Sequence, residues 1–115
     1  MPGPLHGVRV IDLTSMISGP SAAMMLADQG ADVIKVENPA GGGDHTRHVS
    51  NHDGRLATSF LNNNRNKRSL TIDLKHPDGL ATLLRVAADA DVLLQNFRPG
   101  VAERIGLGED ALRKV

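Results

Sequence analysis

Apolar and polar residues alternate along this chain in blocks of differing period, and the blocks predict an order of elements. Val8 to Leu13, VRVIDL, is a short β-branched run of the kind a buried strand needs. Gly19 and Pro20 mark a helix start, with Pro20 in the first turn, where its missing N–H costs nothing. Apolar residues follow at Ala22, Ala23, Leu26 and Ala27, with Met24 and Met25 between them. Gly30 ends the helix as a residue tolerant of positive φ. Asp32 to Glu37, DVIKVE, predicts a second strand, closed by Pro39. Two strands joined by one helix are expected to run parallel.

Ala40 to Arg55 carries four glycines, three histidines and little apolar content, which predicts a loop with at most a short turn of helix. Leu56 to Leu61 predicts a short helical segment, followed by the polar run Asn62 to Arg68. Ser69 to Leu74 reads as a third strand. Pro77 opens a helix reaching to Asp89, in which Leu80, Leu83, Leu84 and Ala87 form an apolar stripe at helical spacing. Val92 to Leu94 predicts a fourth strand, Asn96 to Gly100 a turn, Val101 to Ile105 a short helix and Gly108 to Val115 another. The alternation implies an α/β fold with an open, mostly parallel, doubly wound sheet and helices on both faces. Ligands of such sheets bind outside the carboxyl ends of the strands. The segments Thr14 to Pro20, Asn38 to Asp44, Lys75 to Pro77 and Asn96 to Gly100 are therefore where a site is expected.

Composition narrows the partners. At 115 residues the chain supplies one domain at most. Hydrophobic content is 40% but aromatics are only 2%, so aliphatic residues and Met must fill the core. A formal net charge of zero argues against a nucleic-acid or anionic-membrane protein held by bulk charge. The absence of cysteine removes disulfides, thiolate zinc sites and cysteine nucleophiles, and fits a reducing compartment. No apolar run approaches the roughly 20 residues that span a bilayer, and MPGPLHG has no signal-peptide pattern. A cytoplasmic protein is expected.

Candidate chemistry is sparse. The loop Thr14 to Pro20 feeds a helix N-terminus, which suits an anion or simple capping. Glu37 ends a strand where dinucleotide folds hold a ribose, but the G-x-G-x-x-G spacing is absent. His45, His48 and His52 would share a face only on a helix, and the flanking glycines favour solvated histidines over metal ligands. Three cations between Asn64 and Arg68 read either as a solvated loop or as a phosphate clamp. Asp12, Asp32, Asp73 and Asp91 lie at strand edges and read as structural. Neither a nucleophile elbow nor a Ser-His-Asp set is evident.

Read together, these residues resemble the opening of a class III CoA-transferase, the family that includes formyl-CoA transferases, carnitine CoA-transferases and α-methylacyl-CoA racemases. The resemblance is carried by Pro4-Leu5, Gly7-Val8, Val10 to Leu13, Gly19-Pro20, Leu26-Ala27-Asp28 and Gly30 to Glu37. It continues through Gly43-Asp44, Arg47, Asn64, Asn66 to Ser69, Asp73-Leu74-Lys75, Gly79, Ala90-Asp91-Val92, Asn96-Phe97, Pro99-Gly100-Val101, Glu103-Arg104 and Gly106. It implies a Rossmann-like fold in which residues 1–115 are the N-terminal, coenzyme A-binding part of a large domain. It also implies contacts to coenzyme A from Ile17 and Ser18, from Ile72, Asp73, Leu74 and Lys75, from Asn96, Phe97 and Arg98, and from Arg104. Phe97 would pack on the adenine or fill the core. Relatives often carry Arg directly after the strand-ending Glu; here Asn38 stands there, so that contact is weaker or comes from Arg47, Arg65 or Lys67.

The activity so implied is transfer of CoA between an acyl-CoA and a small carboxylic acid, without a metal, in an interlocked homodimer. A catalytic Asp would attack the thioester, and the resemblance puts that Asp beyond Val115. The alternative within the family, 2-methylacyl-CoA racemisation, uses a His and Asp pair also beyond Val115. Residues 1–115 alone are thus expected to be inactive, the small domain being absent too. A non-catalytic coenzyme- or nucleotide-binding module and an inert fragment are the readings outside catalysis.

Overall fold

A computed structural model of the chain describes residues 2–49 and 57–115. Strands β1 (Arg9–Asp12), β2 (Asp32–Glu37), β3 (Lys67–Thr71) and β4 (Val92–Leu94) form one sheet in the order β3-β2-β1-β4. Every pairing is parallel, with Ile11 level with Ile34 and Leu93, and Val36 level with Leu70. Helix α1 (Ser18–Asp28) joins β1 to β2, α2 (Thr58–Asn63) precedes β3, and α3 (Pro77–Ala88) joins β3 to β4. Two short helices, α4 (Val101–Arg104) and α5 (Glu109–Leu112), follow. No described helix is long and apolar enough to cross a membrane.

Strand alternation divides the core in two. Val10 and Val33 point to one face, where Ala23, Ala27 and Ala31 pack on them. Ile11, Leu13, Ile34 and Val36 point to the other, under Leu83 of α3 and Leu107, with Leu80 and Leu84 alongside. Helices therefore cover both faces, as the alternation of elements predicts. The α3 stripe is borne out, with Leu83 fully buried. On α1 the inward residues are Pro20, Ala23, Met24 and Ala27, whereas Ala22 and Met25 face outward. Gly30, at φ 102, follows the last turn of α1 as expected.

Two boundaries differ from expectation. The third strand runs Lys67–Thr71 rather than Ser69 to Leu74, because Lys67 is drawn into the sheet opposite Val33 and its ammonium is buried there. The early helix of the Leu56 to Leu61 segment is observed as Thr58–Asn63; Leu56 lies outside the described residues. The Ala40 to Arg55 connection contains two single 3₁₀ turns, Ala40–Gly42 and His45–Arg47, and its residues 50–55 lie outside the described set.

The strand order reverses at β1, with β2 and β3 on one side and β4 on the other. The carboxyl ends of β1 and β4 thus flank a topological switch point, where open α/β sheets place their ligands.

Candidate functional site

The face of the sheet beneath α1 changes character toward its carboxyl end. Val10 and Val33 give way to Asp12, Lys35 and Glu37, and Lys67 reaches in from its place opposite Val33; all four side chains are at most 7% exposed. Charges removed from water to this degree need partners, and each has one. Lys67 Nζ donates to Asp12 Oδ2 at 2.8 Å, to the Pro20 carbonyl at 2.9 Å and to Asn64 Oδ1 at 2.8 Å. Asp12 also accepts from the Thr14 backbone at 2.9 Å and from the Thr14 hydroxyl. Lys35 Nζ donates to Asp44 Oδ2 at 2.8 Å and to the Thr14 carbonyl at 3.2 Å. Arg47 grips Glu37 with two bonds, 2.8 and 2.6 Å, while its guanidinium lies 3.9 Å from the Phe60 ring centroid. The Asp44 amide donates to Glu37 Oε2 at 2.7 Å, closing the set. Gly43 permits that closure: its φ is +91, and a Cβ there would sit 2.4 Å from Glu37 Oε2.

The titration of these acids follows from their surroundings. Burial is the largest single influence on Asp44 and pushes its carboxyl up, yet the bonds from Lys35 and Thr46 together bring it below the ordinary value. For Glu37 burial likewise pushes up, and Arg47 with the Asp44 amide outweighs it. Burial pulls the Lys67 ammonium below its usual value, against the attraction of Asp12. A carboxylate held low in the folded state lends stability above its unfolded pKa and loses it as pH falls through the folded value. The urea midpoint is accordingly expected to stay level from about pH 8 to 5 and to fall steeply below roughly pH 4. A midpoint unchanged down to pH 3 would contradict this.

Above this ionic layer, at the switch point, lies a cleft of about 290 Å³. Leu13, Thr14 and Ser15 line it after β1, and Glu37, Asn38, Gly43 and Asp44 after β2. Leu74, Lys75 and Phe97 complete the wall, with Val101 and Ile105 from the α4 region. Of the residues expected to meet coenzyme A, Asn38, Leu74, Lys75 and Phe97 come together here. Asn96 adjoins the cleft, but its amide is bonded to the Ser15 backbone in both directions, at 3.2 and 2.8 Å. Ile17, 60% exposed, and Ser18 lead into α1 beside it. Asp73 is exposed and accepts from the Lys75 amide at 3.0 Å, whereas Ile72 is buried in the core. Arg98 and Arg104 are exposed and outside the lining; Arg104 Nε lies 3.3 Å from the Gly100 carbonyl. Phe97 is half-buried, packing on the α3-side core and also lining the cleft.

The phosphate-clamp reading of Asn64 to Arg68 is overturned. Arg65 pairs with Asp28 at 2.7 Å, Lys67 with Asp12, and Arg68 with Asp32 at 2.7 Å. These cations diverge because they straddle a strand entrance. Asp28 and Asp32 flank the amino end of β2, away from the cleft, and Lys67 is inside. Neither Arg65 nor Lys67 can thus replace the charge missing at Asn38. Arg47 does stand beside Asn38, in an adjoining hollow with Gly42 and Thr71, and Lys75 is the cation of the cleft itself. Asn38 turns its amide oxygen to the Ala40 N–H at 2.9 Å. His45 and His48 are exposed, with His48 Nε2 3.3 Å from the Gly42 carbonyl; His52 lies outside the described residues. Among the described residues no group of three or more His, Asp or Glu is placed to hold a metal ion.

The burial of Lys35 and its pairing with Asp44 were not read from the sequence. The signal was present: a lysine between Ile34 and Val36 in a parallel strand is buried whichever face it takes, and so requires an acid.

Residues 5–115 match the model of CoA-transferase family III. The chain is 50% identical over 113 residues to the probable fatty acyl-CoA transferase Rv3272 of Mycobacterium tuberculosis, covering 96% of this chain and 28% of that protein. A crystal structure of Rv3272 superposes with a TM-score of 0.89 at 48% identity, over 97% of this chain and 30% of that one. The beta subunit of succinyl-CoA–L-malate CoA-transferase from Chloroflexus aurantiacus is 46% identical over 113 residues, 97% of this chain and 28% of that protein. A CAIB/BAIF family protein from Brucella suis gives a TM-score of 0.91 at 37% identity, over 99% of this chain and 31% of that one. The chain thus spans under a third of the length of these relatives.

Proposed function

We propose a coenzyme-binding function for this chain, which belongs to CoA-transferase family III. Residues 1–115 form the part of a large domain that holds the CoA moiety of an acyl-CoA, in a protein that transfers CoA to a carboxylic acid. The observation that carries this reading is the cleft at the β1/β4 switch point, where Asn38, Leu74, Lys75 and Phe97 converge. Its chemistry suits the ligand. Lys75 offers a cation to phosphate, the Asn38 amide offers hydrogen bonds, and Leu13, Leu74 and Phe97 offer apolar surface to adenine or the pantetheine arm. A volume of about 290 Å³ takes only part of coenzyme A, so the rest extends beyond the cleft, and the exposed residues Ile17, Ser18, Asp73, Arg98 and Arg104 are the candidates to meet it.

The covalent chemistry belongs to residues outside this stretch. Both carboxylates of the cleft are committed, Glu37 to Arg47 and Asp44 to Lys35, and both are held ionised by those partners. An acid locked in a buried ion pair is unsuited to attack a thioester and carry the resulting anhydride.

Thermal unfolding followed by circular dichroism tests the reading. A ligand that binds only the folded state contributes about 2.7 kcal/mol at a hundredfold excess over its dissociation constant, a rise on the order of 10 °C. CoA is expected to raise the midpoint and NAD to leave it unchanged. No response to CoA would contradict the proposal.

A further inference from the structure

Three consecutive residues after β1 are each held through the backbone by a side chain from another part of the fold. The Thr14 carbonyl accepts from Lys35 Nζ of β2 at 3.2 Å. Ser15 donates its N–H to Asn96 Oδ1 at 3.2 Å and accepts from Asn96 Nδ2 at 2.8 Å. The Met16 N–H donates to Asp44 Oδ1 at 3.3 Å. Met16 has φ 76, a left-handed conformation that a side-chain-bearing residue avoids unless its surroundings impose it. Lys35 and Asp44 impose it from inside the protein: they are paired at 2.8 Å, and their side chains are 2% and 1% exposed. The same Asp44 carboxylate accepts from the Thr46 amide and hydroxyl, so it ties the loop after β1 to the loop after β2.

We infer that Lys35, Asp44 and Asn96 are positioning residues. They preset the backbone of Thr14, Ser15 and Met16 so that the start of α1, with Ile17 and Ser18, already has its ligand-bound shape. A loop that must be ordered on binding subtracts that ordering from affinity, and a preset loop does not. The inference rests on the coenzyme reading of the cleft for its binding consequence, but not for its effect on the loop. A purely structural ion pair would alter folding alone, and affinity per folded chain would not move.

The test compares the double variants K35M/D44L and K35M/D44N with N96A and the unaltered chain. Both double variants remove the buried charges together, which such sites tolerate far better than the loss of one partner. Only K35M/D44N keeps an acceptor for the Met16 N–H. Calorimetric titration with CoA gives affinity and stoichiometry separately, and amide hydrogen exchange without ligand reports the loop. K35M/D44L is expected to bind CoA about tenfold more weakly at unchanged stoichiometry, with faster exchange at Ser15 and Met16. K35M/D44N is expected to recover most of the loss, and N96A to weaken binding several-fold while remaining folded. The proposal is overturned if K35M/D44L and N96A bind with unaltered affinity and exchange no faster at those amides. It is equally overturned if their losses appear only as a lower stoichiometry. Should K35M/D44L not fold, N96A decides, since Asn96 is exposed. Should the unaltered chain not bind CoA, the coenzyme reading fails, and exchange at Ser15 and Met16 alone decides whether these side chains hold the loop.

Discussion

Replacing Lys67 by Met is expected to bring the chain to the edge of unfolding. The Lys67 side chain is 2% exposed and that of Asp12 is fully buried, in the middle of the sheet face covered by α1. Removing the ammonium leaves Asp12 as a buried carboxylate with only Thr14 for company, and leaves the Pro20 carbonyl and Asn64 without their shared donor. Breaking a buried pair in this one-sided way costs about 3–5 kcal/mol, a large part of the 5–15 kcal/mol by which ordinary domains are stable. Urea unfolding followed by circular dichroism reads the effect as a collapse of the midpoint. The double variant K67M/D12L removes the orphaned charge as well and is expected to recover much of the loss. A K67M midpoint equal to that of the unaltered chain would show that the pair does not hold β3 in the sheet.

Gly79→Ala should produce the second largest effect, by a different route. Gly79 lies in the first turns of α3, where a Cβ would come within 2.0 Å of the Asp73 carbonyl oxygen and 3.1 Å of Ile72 Cγ2. A backbone atom cannot swing aside as a side-chain tip can. Either α3 backs away from the sheet, taking Leu83 with it, or residues 72–75 move. Forcing extra volume into a packed contact costs about 1–3 kcal/mol, and here it also drags Leu74 and Lys75 off the cleft wall. Both the urea midpoint and the CoA-induced thermal shift are therefore expected to fall. A variant with midpoint and shift intact would show that the approach of α3 does not set residues 72–75.

The order of elements was legible because each of its signals is local. The β-branched run of β1, the leucine stripe of α3, and Gly30 after α1 each report a face or an end without reference to anything distant. The place of a candidate site beyond the strand ends followed from topology, and four of the residues expected there line one cleft. What was not legible depends on partners far apart in sequence. Lys67 looks like loop material beside Asn66 and Arg68 until Asp12, 55 positions earlier, draws it into β3. Asn96 gives no sign in its own stretch that its amide holds the Ser15 backbone, 81 positions away. Arg65 and Arg68 look like a clamp until Asp28 and Asp32 claim them. In each case a charge or an amide was visible, and its destination was a question of register between strands that no local pattern encodes.

The proposed coenzyme A site lies at the carboxyl ends of β1 and β4. Titration of the isotopically labelled chain with CoA, followed by amide chemical shifts, tests it most directly. Saturable shifts are expected at Ser15 to Ser18, Asn38, Leu74, Lys75 and Phe97, and none in the hollow at the other end of the sheet lined by Arg9, Asp32 and Asp89. Shifts centred on that opposite end, or no shifts at saturating CoA, would contradict it.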